Sequence, residues 1–218
     1  MNATIMDAFN PGQHRTDAWR AVCLLVSACI ITACAAPDTS RTRARMEIQE
    51  EVGFTISEKA RISSIVRSNY KDALILLEQG RHEQGVAMLE NVADAAPQLS
   101  APRIDLGIAY HRAGDFEAAE INLLLALESN PDHPIAHNEL GIVYRKSGRF
   151  AEAKKSYEAA LAIYPGYHYA RRNLAVLCDL YLADLNCALR NYEAYMTTVP
   201  GDDEASMWIA DIRYRISQ

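Results

Sequence analysis

The chain has 218 residues, 50% of them hydrophobic, with 8 Pro and 10 Gly, a globular composition that allows one domain plus a tail or two small domains. Its formal net charge is −6, and its Lys and Arg residues form no stripe with interleaved aromatics. Such an acidic body repels phosphate backbones and argues against a nucleic-acid partner. Of the five cysteines, Cys23, Cys29 and Cys34 lie near the N-terminus and only Cys178 and Cys187 in the body, too few for a disulfide framework or a four-ligand zinc site.

Residues 1–20 are polar, carry Arg15 and Arg20, and show no periodicity. Residues 21–33 then form an apolar run of 13 residues. A membrane-spanning helix needs about 20, whereas a signal-peptide core needs about 7–15, after a basic region and before small residues. The run fits the second description, although the leading region is long and weakly basic, which leaves a start at Met6 or later open.

The run ends in Ile31, Thr32, Ala33 and Cys34, a sequence that resembles a bacterial lipobox. The resemblance implies cleavage before Cys34 and acylation of its thiol and new N-terminus. Thr32 and Ala33 suit a narrow peptidase site, and only a thiol forms the thioether. Val26, Ser27, Ala28 and Cys29 make a competing match, but they leave a hydrophobic core of only eight residues. The same run is also compatible with an ordinary signal peptide cut at Ala33 or Ala36, or with a buried core helix. Each buried methylene adds about 0.8 kcal/mol, so several acyl chains hold a protein on a membrane for long times. Ala35, not Asp, follows the cysteine, which by resemblance to Gram-negative sorting implies the periplasmic face of the outer membrane. The expected organisation is a signal peptide over 1–33, then a lipidated Cys34 and flexible tether over 34–56, with at most a helical turn at 46–52.

From there the chain repeats itself. Pro97, Pro131, Pro165 and Pro200 are spaced 34, 34 and 35 residues apart. On that period, residues 100–133 place Leu106, Gly107, Tyr110, Gly114, Ala119, Leu123, Ala126 and Pro131 where residues 134–167 place Leu140, Gly141, Tyr144, Gly148, Ala153, Tyr157, Ala160 and Pro165. The pattern resembles the tetratricopeptide repeat, a helix–turn–helix unit of about 34 residues. The resemblance implies an all-α fold, a solenoid of antiparallel helix pairs A and B closed by a C-terminal capping helix.

Within that frame Gly107 and Gly141 mark the crossing of helix A over helix B, with small Ala119, Ala126, Ala153 and Ala160 opposite. Tyr110, Tyr144 and Tyr157 fill gaps between units. Gly114 and Gly148 supply the positive φ that ends helix A, and each proline ends helix B. The domain is expected over 57–218. Its units are a degenerate one at about 66–99, then 100–133, 134–167 and 168–202, with a cap over 203–217. Ala73, Gly85, Leu89 and Val92 carry the degenerate unit, whose opening helix is expected from near Ser57 to Gln79. The unit at 168–202 has Leu174 and Ala175 in register, lacks the turn glycine and has one extra residue, so Ala188, Tyr192, Tyr195 and Pro200 fall one place late. In the cap, Trp208, Ile209, Ile212 and Ile216 form the apolar stripe that covers the last open face.

No nucleophile–base motif, P-loop or dinucleotide fingerprint is present, so no enzyme activity, cofactor or small-molecule substrate is expected. His133 and His137 have a spacing that can hold a metal, but no third ligand is near and they are expected to be surface polar residues. By the family resemblance, the A helices line a concave face at the second, fifth, ninth and twelfth places of each unit. These hold Ala101, Ile104, Ile108 and His111, then Ile135, Asn138, Ile142 and Arg145, then Tyr169, Arg172, Val176 and Asp179. That apolar floor suits an extended or helical peptide, with Asn138 and Arg172 placed for backbone or carboxylate groups; the alternative is that its isoleucines merely pack between helices. By the same resemblance, the places of a chaperone-type carboxylate clamp hold Ile104, Ile108, Glu139, Tyr169 and Asn173 when read from the first full unit. Read from the degenerate unit, they hold Tyr70, Leu74, Asp105, Ile135 and Glu139. Neither set makes a clamp.

The expected function is a non-catalytic, lipid-anchored scaffold of the bacterial envelope. It would bind envelope proteins or peptides and assist assembly of a pilus, secretion or export machine. An accessory role in a TonB-type energy-transducing system and an envelope enzyme with a repeat-built site are the rival readings. Cys178 and Cys187 flank the unusual turn and are expected to form a disulfide in an oxidising periplasm; two buried free thiols are the alternative.

Overall fold

A computed structural model describes residues 45–49 and 55–218, with side chains at Glu58 and from Ala60 onward. The expected signal peptide and lipidation site, residues 1–33 and Cys34, lie outside the described residues. Two short strands, β1 (Arg45–Gln49) and β2 (Thr55–Lys59), pair antiparallel with Ile48 opposite Ile56. Among the described residues nine helices follow: α1 (Ser64–Glu78), α2 (His82–Ala95), α3 (Ala101–Ala113), α4 (Phe116–Ser129), α5 (Pro134–Lys146), α6 (Phe150–Ile163), α7 (His168–Leu180), α8 (Leu185–Thr198) and α9 (Asp203–Ile216).

The hairpin corrects two expectations. Residues 45–49 are a strand, not tether or a helical turn, because polar and apolar residues alternate through Arg45, Met46, Glu47, Ile48 and Gln49 with the period of a β-strand. Because β2 uses residues 55–59, the first helix cannot start at Ser57. It starts at Ser64, with Ser63 as N-cap accepting from the Val66 N–H at 3.2 Å.

The helices form the pairs α1/α2, α3/α4, α5/α6 and α7/α8, each A helix packing on its own B helix, with α9 closing the stack on α8. Aspartates cap three of the later elements: Asp115 accepts from Ala118, Asp184 from Cys187 and Asp202 from Ala205. The third complete unit shows how the chain absorbs its extra residue. In the first, Gly114 adopts φ +83° and the Asp115 N–H reaches back to the Tyr110 carbonyl. In the third, Ala183 takes the left-handed conformation at φ +53°, and the Asp184 N–H reaches the Cys178 carbonyl at 2.9 Å. The same closure is made one residue later, with alanine in the glycine's place.

A continuous core runs from Ile104 through Leu123, Leu140, Tyr157, Leu174 and Tyr192 to Ile212. Gly141 is small by necessity: a Cβ there would stand 2.5 Å from Cε1 of the fully buried Tyr157. On the cap, Ala205 and Ile212 are buried, whereas Ile216 is 42% exposed and lies outside the stripe expected for it. The Trp208 ring packs tilted, at 43°, against Tyr192, with ring centroids 5.2 Å apart.

Candidate protein-binding face

Successive A helices touch, α3 with α5 and α5 with α7, whereas among the described residues consecutive B helices make no comparable contact. The stack is therefore closer on its A side, and the A helices line the inner face. Two kinds of tie hold the units together. Within units, Arg103 of α3 donates to Asn122 of α4 at 3.1 Å and Arg171 of α7 donates to Asn191 of α8 at 3.3 Å. Each asparagine also donates back to a carbonyl one turn earlier in its own helix.

Between units, a residue at the fifth place bonds one at the sixth place of the next. The Tyr70 hydroxyl donates to Asp105 at 2.5 Å, and the Asn173 amide donates to the Asn138 side-chain oxygen at 2.9 Å. Asn138 in turn donates to Glu139 at 3.0 Å.

These ties correct the expected groove. Asn138 is 2% exposed and Ile104 4% exposed; both lie beneath the face, because the fifth place faces the next A helix rather than solvent. Arg172 is engaged as well: its guanidinium lies 5.1 Å from the Trp208 ring centroid and 3.7 Å from the Glu204 carboxylate, so it fastens α9 to α7. Ile108, His111, Ile142, Arg145 and Val176 are half-buried, and Tyr169 is 58% exposed. Arg145 also lies over Tyr181 at 5.8 Å. The role missed in the sequence is that of the sixth-place polar groups Asp105, Glu139 and Asn173, which the sequence pattern marks only as clamp places. Their signal was present, since a polar residue precedes Leu106, Leu140 and Leu174 at each repeat.

The face carries groups of both charge signs. Burial pushes the Asp105 carboxyl up to about 6, against the opposing effects of the Tyr70 hydrogen bond and of Arg112. Burial likewise raises Glu139, opposed by Asn138 and Arg112. Toward the C-terminal ends of the A helices sit Arg112, Arg145 and Lys146; burial first, and then these cations, lower the His111 pKa. Cations there also complement the helix dipoles.

The two histidines with metal-compatible spacing have other work. His133 Nδ1 accepts from the Ala136 N–H as the α5 cap, and burial pushes its pKa down to about 4, so the ring is neutral. His137 Nε2 bonds the Pro131 carbonyl oxygen at 2.8 Å. Among the described residues no cluster of three His, Cys, Asp or Glu could hold a metal, and no helix is long and apolar enough to cross a membrane. Cys178, in the last turn of α7, and Cys187, in the first turn of α8, are joined by a disulfide with α-carbons 5.8 Å apart, within the range of about 4.4–6.8 Å that such bonds span.

Comparison with known proteins agrees with this geometry. A family model described as tetratricopeptide repeat matches residues 70–134, 104–168 and 138–178. No curated protein sequence matches the chain. Among solved structures, MamA from Desulfovibrio magneticus RS-1 shares 19% identity over 72% of this chain and 88% of its own, with a TM-score of 0.63. The pilF protein of Pseudomonas aeruginosa shares 18% identity over 70% and 69% of the two chains, also with a TM-score of 0.63. The first tetratricopeptide domain of Spaghetti (RPAP3), bound to the HSP90 peptide SRMEEVD, shares 20% identity over 56% and 98%, with a TM-score of 0.52.

Proposed function

Because the chain belongs to the tetratricopeptide repeat family, whose stacked units present extended concave surfaces to other proteins, we propose that it is a lipid-anchored, protein-binding scaffold of the bacterial envelope. Its anchor is Cys34 on the periplasmic face of the outer membrane, and its partner is an envelope protein or peptide that lies along the A-helix face. Such a scaffold assists assembly of a multi-protein machine, such as a pilus, secretion or export apparatus.

The observation that carries the envelope assignment is the Cys178–Cys187 disulfide, which agrees with the lipobox at the other end of the chain. Disulfides persist in oxidising compartments such as the periplasm and are rare where thiols are kept reduced. The binding assignment rests on the family's concave surface and on Tyr169, a large aromatic left 58% exposed on an A helix. Exposed aromatics of this kind anchor partners.

Mass spectrometry of protein extracted from membranes tests the anchor. The mature chain is expected to begin at an acylated Cys34, and Cys34→Ala to leave the membrane fraction. An unmodified N-terminus at Ala35 or beyond, or a Cys34→Ala protein that stays on membranes, would contradict the anchor.

A further inference from the structure

Five helix starts in the solenoid are capped by their own N-cap side chain, through Ser63, Asp115, His133, Asp184 and Asp202, whereas α2, α3, α6 and α7 are not. Among these four, α3 is capped from a distant part of the chain. Ser100 stands at its N-cap position and makes no capping bond with its own side chain. Its hydroxyl donates instead to Glu58 Oε1, 42 residues earlier in the chain. Glu58 Oε2 accepts from the Ser100 N–H at 2.9 Å and the Ala101 N–H at 3.1 Å, and Oε1 also accepts from Asn130 Nδ2 at 3.3 Å. One carboxylate from β2 thus takes four donors, two of them the free N–H groups of a helix start, where negative charge is favoured.

The donors are built for this. Ser100 is fully buried and Asn130 is 8% exposed, with neutral His133, 4% exposed, close enough for the Glu58 charge to act on it. The combination is particular to this unit: the places of Ser100 and Asn130 hold Pro134 and Tyr164 in the next. The rest of the described attachment is small, a cluster in which Ala60, Ile62 and Val66 pack on Ala96 and Leu99. Beside it lies a recess of about 690 Å³ bordered by Glu58, Ile62, Tyr70 and Ala101.

We propose that Ser100, Ala101 and Asn130 form a carboxylate-binding cradle, that Glu58 occupies it as an internal latch holding the hairpin down, and that an extended partner segment presenting a glutamate side chain docks there by displacing the hairpin. The latch is independent of whether the partner also uses the A-helix face, because its donors belong to the start of α3 and the end of α4.

The test uses the full chain, its Glu58→Ala variant, and a synthetic peptide of residues 55–62 as the probe. In Glu58→Ala, amide hydrogen exchange at Ser100 and Ala101 should rise about tenfold or more while α5–α9 keep their protection. The peptide should bind Glu58→Ala at least about tenfold more tightly than wild type, whose cradle is filled, and a peptide with Ala in place of the glutamate should bind neither. Unchanged exchange at Ser100 and Ala101, equal binding of the peptide to both proteins, or equal binding of the two peptides would overturn the proposal. Loss of protection throughout α3–α9 would make the contact a fixed brace and overturn it as well.

Discussion

Gly141→Ala separates two physical readings of the A–B crossing by the sign of its effect. In a helix interior alanine is more favourable than glycine by roughly 0.5–1 kcal/mol, so with free space at residue 141 the substitution would stabilise. The added Cβ, however, would stand 2.5, 2.7 and 3.0 Å from Cε1, Cδ1 and Cζ of Tyr157, against about 3.5–4.0 Å for a favourable carbon contact. Tyr157 has no exposed surface, so its ring cannot swing into solvent. Either α5 and α6 move apart by about 1 Å or the ring leaves its rotamer, and overpacking of this kind costs about 1–3 kcal/mol. After the helix gain is subtracted, the variant is expected to be less stable by roughly 1 kcal/mol. Urea unfolding followed by circular dichroism at 222 nm reads the difference. Because solenoid stability is close to a sum over neighbouring units, hydrogen exchange should also rise in the flanking α4 and α7. In a Tyr157→Val background the same change should lose its penalty, a coupling expected for residues in contact. A Gly141→Ala protein as stable as wild type, or more so, would refute the close-packing argument.

Other perturbations follow from the same geometry. Reducing the Cys178–Cys187 bond frees a closure of sequence separation 9, worth about 2–3 kcal/mol in the chain-entropy model; an unchanged urea midpoint after reduction would contradict it. Ala183→Gly relieves a residue held at φ +53° and should stabilise by about 0.5–1 kcal/mol, since left-handed backbone penalises alanine by more than glycine loses in chain entropy; a loss of stability would mean the turn tolerates alanine without strain. Asp105 is pushed up to about 6 in the fold against about 3.9 unfolded. The folded state therefore holds its proton more tightly, and its contribution to stability is present in full below pH about 4 and lost as pH rises through about 6. Relative to Asp105→Asn, wild type should gain stability as pH falls across that window, and parallel pH profiles of the two proteins would exclude the shift.

Much of the solenoid was legible because its determinants are local and periodic. Prolines that end helices, glycines where helices cross and small residues opposite them recur every 34 residues, and each constraint acts within one unit. The disulfide was legible for a related reason: a turn without its glycine, flanked by two cysteines, sits in a register fixed by its neighbours. The hairpin was harder to read, because two strands of 5 residues each carry little periodic signal and their attachment to the solenoid, Glu58 on Ser100, spans 42 residues. Of the expected groove, the fifth place was misread at Ile104 and Asn138, which are buried. The family pattern puts the fifth place on the open face, yet in this chain Tyr70 and Asn138 turn to the sixth place of the next unit. Only the pairing of two helices decides that direction. The contacts of Arg172 were not legible for the same reason: its partners, Trp208 and Glu204, lie on a cap whose position the repeat does not determine.

Whether the A-helix face carries the partner is tested most directly by photo-cross-linking in intact cells. A cross-linking residue is placed at Tyr169 on α7, 58% exposed, and in a second protein at Ile121 on α4, 53% exposed on a B helix. A discrete covalent adduct is expected from position 169 and none from position 121. An adduct from position 121 with none from 169 would contradict the proposed face and place the partner on the B-helix side of the stack.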